Sequence, residues 1–191
     1  EEKAADSLES YIAQFEENPV TTQSAITYNL VNSGVKVEGS SQEVAGLWVD
    51  ATQGKFDGVS NSSWAQVNDN TVFYVPVNGE SVITINSYAA PTYLVQDITE
   101  KDSDPNYWQN ELTFEKAGEN SFIYGGKSET VIKVTVKGAS YLTTIKVKSE
   151  GVQEGEVQKT WEKRDFSLKI NGTSVNVEGA PEVTADATIT L

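Results

Sequence analysis

The chain contains no cysteine, no histidine and no methionine. Without cysteine there is no disulfide and no thiolate nucleophile. Without histidine there is no Ser-His-Asp triad and no ordinary zinc site. Positive charge is also scarce: 14 lysines and arginines stand against 28 acids, a formal net charge of −14. A surface of that sign repels nucleic acid and anionic membrane, so neither is expected as a partner. No apolar run approaches the ~20 residues needed to cross a bilayer. A chain that begins at Glu1 and lacks methionine is expected to be a mature or excised part of a longer protein. Lack of cysteine is also common in exported proteins of Gram-positive bacteria, an association rather than a derivation.

What is present suits a soluble globular protein. The 191 residues are 38% hydrophobic and 22% charged, enough for one good core. Residues 1–17 carry Ala4, Leu8, Tyr11, Ile12 and Phe15 at spacings of three and four, which predicts a helix with one apolar stripe. Asn18-Pro19 stops it, because a residue before proline is pushed out of the helical region.

From Thr22 onward the periodicity is two. Strands are expected over 25–31, 35–38, 47–50, 72–77, 82–87, 92–98, 112–114, 121–124, 130–137, 141–148, 165–170, 174–178 and 187–191. Pro76 places the 72–77 strand at an edge or ends it. The segments 130–137 and 141–148 read as a hairpin turning at Gly138-Ala139-Ser140. Residues 51–71 read as a Gly-rich irregular loop carrying Trp64, and 99–110 as a long polar loop carrying Tyr107 and Trp108. Many short strands and one minor helix indicate an all-β protein, an antiparallel, jelly-roll-like β-sandwich with a short N-terminal helix. The expected organisation is a helical lead over 1–20 and a β-sandwich module over 21–191. Within it 149–163 is a Glu/Gly connector, and 164–191 either completes the sandwich or begins a second unit.

Two segments carry a family resemblance. One is Gly46-Leu47-Trp48-Val49-Asp50-Ala51-Thr52-Gln53-Gly54-Lys55-Phe56, followed by Trp64 and by Asn70-Thr71 leading into Val75-Pro76-Val77. The other is Phe122-Ile123-Tyr124-Gly125-Gly126, the strand to Gly138, and Tyr141-Leu142-Thr143-Thr144-Ile145-Lys146-Val147. Together they resemble the non-catalytic β-sandwich modules of bacterial pectate lyases and pectinesterases. The resemblance covers roughly 45–148 and departs at the helical lead, the 99–110 loop and the strands after 150. In related modules a Trp-Asp-Phe-like phrase opens the unit, whereas Trp161 and Asp165-Phe166 come late here. The resemblance implies a secreted or cell-surface bacterial protein, with plant cell-wall polysaccharide and a catalytic domain of the same parent protein as partners.

Sugar binding needs flat aromatic faces, and polar groups to fix hydroxyls. Trp48, Trp64, Tyr107 and Trp108 are the aromatics that core alternation explains least. Against that role, Trp64 can cap the sandwich core, and Tyr107 and Trp108 can fold their loop onto themselves. Pectin also needs cations for its carboxylates. Residues 127–148 hold five lysines against one acid, and Lys133, Lys137, Lys146 and Lys148 are expected on the outward face of one hairpin. Outward lysines also serve plain solvation and edge protection. Asp50 and Asp57 flank a glycine turn and are the candidate ligands for calcium; turn capping is their other reading. No catalytic residue stands out. The function classes kept open are a carbohydrate-binding module, a spacer or adhesion domain without sugar affinity, and a small β-jelly-roll glycosidase, which needs a pair of carboxylates.

Overall fold

The computed structural model describes residues 5–19, 25–78, 81–126, 130–149, 168–170 and 173–175. The chain divides into two units, Glu1–Gly151 and Val152–Leu191. Of the connector expected over 149–163, residues 150–163 lie outside the described residues, as do the strand expected at 187–191, Trp161, Asp165 and Phe166.

The first unit begins with helix α1, Leu8–Glu17. Ser7 caps it: its hydroxyl accepts from Ser10 N–H, and Ser10 Oγ accepts from Ser7 N–H, so two otherwise orphaned donors are met. The strands follow as β1 Ile26–Asn29, β2 Lys36–Glu38, β3 Ser41–Val44, β4 Leu47–Asp50, β5 Lys55–Asp57 and β6 Ala65–Val67. Then come β7 Val72–Pro76, β8 Ser81–Ser87, β9 Thr92–Asp97, β10 Gln109–Thr113, β11 Gly118–Ile123, β12 Val131–Lys137 and β13 Ser140–Ser149. In the second unit β14 Leu168–Ile170 pairs antiparallel with β15 Thr173–Val175.

The strands of the first unit form two antiparallel sheets. A seven-stranded sheet runs β11-β8-β13-β6-β5-β2, with β1 also on β13, and a six-stranded sheet runs β10-β9-β12-β7-β4-β3. This is the expected β-sandwich. One face of each sheet is apolar. Phe73, Val75, Val95, Val134 and Val136 from one meet Val37, Phe56, Ile83, Ile85 and Ile145 from the other in a single core. Phe56 and Phe73 meet edge to face across it, centroids 6.1 Å apart. Pro76 ends its strand as expected, but β7 is central, flanked by β12 and β4.

One correction changes the geography of the surface. The segments expected to form a hairpin, now β12 and β13, lie in different sheets. Gly138, at φ +81°, turns the chain from one sheet to the other. A hairpin and an inter-sheet corner both alternate apolar and polar residues, so period two cannot distinguish them.

Helix α1 covers the outer face of the six-stranded sheet. Tyr11, Trp48, Tyr74 and Val131 form a second, smaller core, with Leu8, Ile12 and Phe15 packed against it. Tyr11 Oη donates to Gly46 O at 2.9 Å, and burial pushes that hydroxyl far above its ordinary pKa.

Candidate functional site: an aromatic cluster beside a polar groove

The site is built on the outer face of the seven-stranded sheet. Phe56, Ala65 and Val67 point into the core, so their neighbours on β5 and β6 point out. Register then draws one outward row across the sheet: Lys36 pairs with Asp57, Asp57 with Gln66, and Gln66 with Tyr141. Tyr88, just past β8, continues the row, its N–H donating to Tyr141 O at 2.9 Å.

Three rings cluster at the far end of the row. Trp64 lies with its centroid 5.1 Å from Tyr88 and 5.6 Å from Tyr141, the latter pair edge to face. Tyr88 is 57% exposed and Tyr141 38%, while Trp64 is half-buried between them. Exposed large aromatics gathered in one place are uncommon on a soluble protein and mark a contact surface.

Beside the cluster lies an open groove of about 590 Å³. Glu38, Gln53, Lys55, Gln66, Asn68 and Asp69 contribute to its lining. No ring lines the groove, but Gln66 does, and it is the cross-strand partner of Tyr141, so the two features are neighbours. Gly54 and Thr71 hold the floor: Thr71 Oγ1 accepts from Lys55 N–H and donates to Lys55 O, both at 3.0 Å. The groove offers amides, carboxylates and an ammonium, all able to bond hydroxyl groups.

Three lysines on this face are ion-paired. Lys36 Nζ lies 3.0 Å from Asp57 Oδ2, Lys55 Nζ 3.4 Å from Glu38 Oε2, and Lys146 Nζ 2.5 Å from Glu119 Oε1. Burial works to raise the Asp57 carboxyl. The Ser60 hydroxyl, the Ser60 and Val59 amides and Lys36 outweigh it and hold that carboxyl well below the usual carboxylate range.

Of the residues singled out from sequence, Trp64 lies in the cluster. Trp48 is on the face opposite Leu47 and Val49, as alternation required, but that face is covered by α1. It is 4% exposed and presents no ring to a ligand. Trp108 packs edge-on against Tyr124, centroids 5.1 Å apart, and its backbone N–H donates to Asp97 Oδ2. Tyr107 Oη accepts from Gln96 Nε2 and donates to Gln109 Oε1. Tyr107 is thus held by β9 and β10, and Trp108 by Asp97 and Tyr124, partners that lie mostly outside their own loop. The lysine ladder is divided. Lys133 and Lys137 lie on the outer face of the six-stranded sheet, and Lys146 and Lys148 on β13 of the other. Asp50 and Asp57 also fall in different sheets. Asp50 Oδ1 is taken by the Thr52 N–H and hydroxyl, and Asp57 by its own turn and Lys36. Among the described residues no group of three or more acids is placed to hold a metal ion.

Tyr88 and Tyr141 were not among the expected residues. Tyr88 has the outward parity of Val82, Thr84 and Asn86, so extending that alternation by one step finds it. Tyr141 was hidden. A β-bulge between Leu142 and Thr144 shifts the register, turning outward a residue that simple alternation places inside with Ile145.

Fold and site together define an antiparallel β-sandwich bearing a polar groove and an exposed aromatic cluster on one sheet. No family model matches the chain, and no curated protein matches its sequence. Among solved structures, the apo form of BiXyn10A CBM1 aligns over 67% of this chain and 98% of its own, at 14% identity and a TM-score of 0.29.

Proposed function

We propose that this chain is a non-catalytic carbohydrate-binding module, appended to a catalytic domain in a secreted or cell-surface bacterial protein that acts on plant cell-wall polysaccharide. The observation that carries the reading is that the Trp64, Tyr88 and Tyr141 cluster neighbours the Gln66-lined groove on one sheet face. The axial C–H bonds of a pyranose present positive hydrogens to the negative face of an aromatic ring, while its hydroxyls need amide and carboxylate partners. Ring and groove supply both side by side. The module's contribution is to raise the local concentration of its parent enzyme on the polymer. Pectin is the polymer that the sequence resemblance suggests.

A second reading, a spacer or adhesion domain without sugar affinity, draws on Trp64 being engaged by two tyrosines of the chain itself. Calorimetry and affinity electrophoresis against plant wall polysaccharides, with a reducing-sugar assay run in parallel, separate the readings. The expected result is retention by at least one glycan, weakened about tenfold or more in Trp64→Ala, without turnover. A blank against every glycan favours the spacer, and released sugar ends the non-catalytic reading.

A further inference from the structure

We infer that the site selects an uncharged glycan chain over a polyuronate. The inference rests on the carbohydrate-binding reading and names the ligand class within it. Recognition of a polyuronate by side chains alone, without a bridging metal ion, needs ammonium or guanidinium groups with hydrogen-bonding capacity to spare, because each carboxylate must exchange its hydration for a charge-assisted bond. Among the described residues, three lysines of this face are already engaged. Lys36, Lys55 and Lys146 are each in an ion pair with a carboxylate of the same sheet face: Asp57, Glu38 and Glu119.

The pairing is built into the sheet. Lys36 and Asp57 are direct cross-strand partners, as are Glu38 and Lys55. Opposite charges at directly opposed positions stabilise each other, and a ligand carboxylate must share the lysine with its partner, whose negative charge repels it. Within the groove the balance is negative, one lysine against Glu38 and Asp69. The Asp69 oxygens are taken by the Gly138 N–H and by Asn70 Nδ2, which holds that charge in place. Beyond the groove the whole chain carries −14. A polyanion therefore meets repulsion at long range and occupied cations at short range.

A neutral chain meets neither obstacle. The outward row from Lys36 to Tyr88 crosses β2, β5, β6 and β13 to the end of β8, about 19 Å at ~4.8 Å per strand spacing. That length accommodates several pyranose rings laid across the strands. Gln66 sits mid-row between ion pair and aromatic ring, where its amide can both donate to and accept from hydroxyls. Specificity then lies in shape and hydroxyl bonding rather than charge.

The test is a binding panel on the whole chain at low and high salt: xylan, galactomannan, xyloglucan, polygalacturonate, and polygalacturonate fully methyl-esterified. The last two share a backbone and differ in charge. The expected result is that the tightest ligand is uncharged, at least about tenfold stronger than polygalacturonate, with an affinity that salt leaves unchanged. Glu38→Gln combined with Glu119→Gln, two exposed positions, is expected to narrow that preference at low salt by releasing Lys55 and Lys146. Polygalacturonate bound as tightly as any neutral glycan, with affinity falling as salt rises, overturns the inference and leaves the carbohydrate-binding reading standing. A preference unchanged in the double variant overturns the role given to the ion pairs. No binding to any member overturns the inference and the proposed function together.

Discussion

Two residues show how narrowly the groove is specified. Gly54 lies on its floor, and a Cβ there would sit 2.6 Å from Thr71 N and 2.9 Å from Asp69 O, with Thr71 Oγ1 closer still. The obstructing atoms include backbone, which cannot rotate away. Gly54→Ala is expected to destabilise the fold by about 1–3 kcal/mol, read as a lowered urea midpoint at unchanged slope. Asp57 is the second residue. Its carboxyl titrates lower when folded than unfolded, so it contributes stability at neutral pH. That contribution begins to disappear below about pH 4, the unfolded value, and is lost as pH falls through the folded one. The stability gap between the wild type and Asp57→Asn is therefore expected to be widest near neutrality and to shrink on acidification. Urea titrations at several pH values check it. The pairing of Asp57 with a turn was legible from the Asp-Gly spacing, which suits capping. Its ion pair with Lys36 was not, since that depends on which strands become neighbours.

At the scale of elements, long alternating runs were readable and short ones were not. β8, β9 and β12 span six or seven residues each and emerge with the expected inward and outward faces. β5 and β6 have three residues each, too few for period two to declare itself, and they vanish into an apparent loop. Those two strands carry Lys55, Asp57 and Gln66, so the groove was invisible although its neighbour Trp64 was not. The helix shows the complementary limit. Its stripe is plain in the sequence, but the surface it covers is not, so alternation alone presents Trp48 as an available ring. Because α1 lies on the six-stranded sheet and the site on the other, perturbing the helix should not touch binding. Tyr11→Phe removes the hydroxyl that donates to Gly46 O and is expected to lower stability by roughly 0.5–1.5 kcal/mol. Glycan affinity in that variant should equal the wild type's, measured by calorimetry beside a urea titration.

For the molecule as a whole, the decisive fact is which sheet each residue joins. Lysines that alternation put together are divided between two outer faces, because β12 and β13 part at Gly138. Aromatics that sequence scattered are gathered, because β6, β8 and β13 are neighbours. One outer face is partly covered by α1, over Trp48, Tyr74 and Val131, and the other carries the exposed rings, the groove and three ion pairs. Under the proposed function, recognition belongs to the second of these faces. The most direct test is the association constant of Tyr88→Ala for the tightest neutral glycan, because Tyr88 is exposed and its removal leaves the core intact. The account predicts a fall of about tenfold, of the order of 1.4 kcal/mol, with an unchanged urea midpoint. An association constant equal to the wild type's would contradict it.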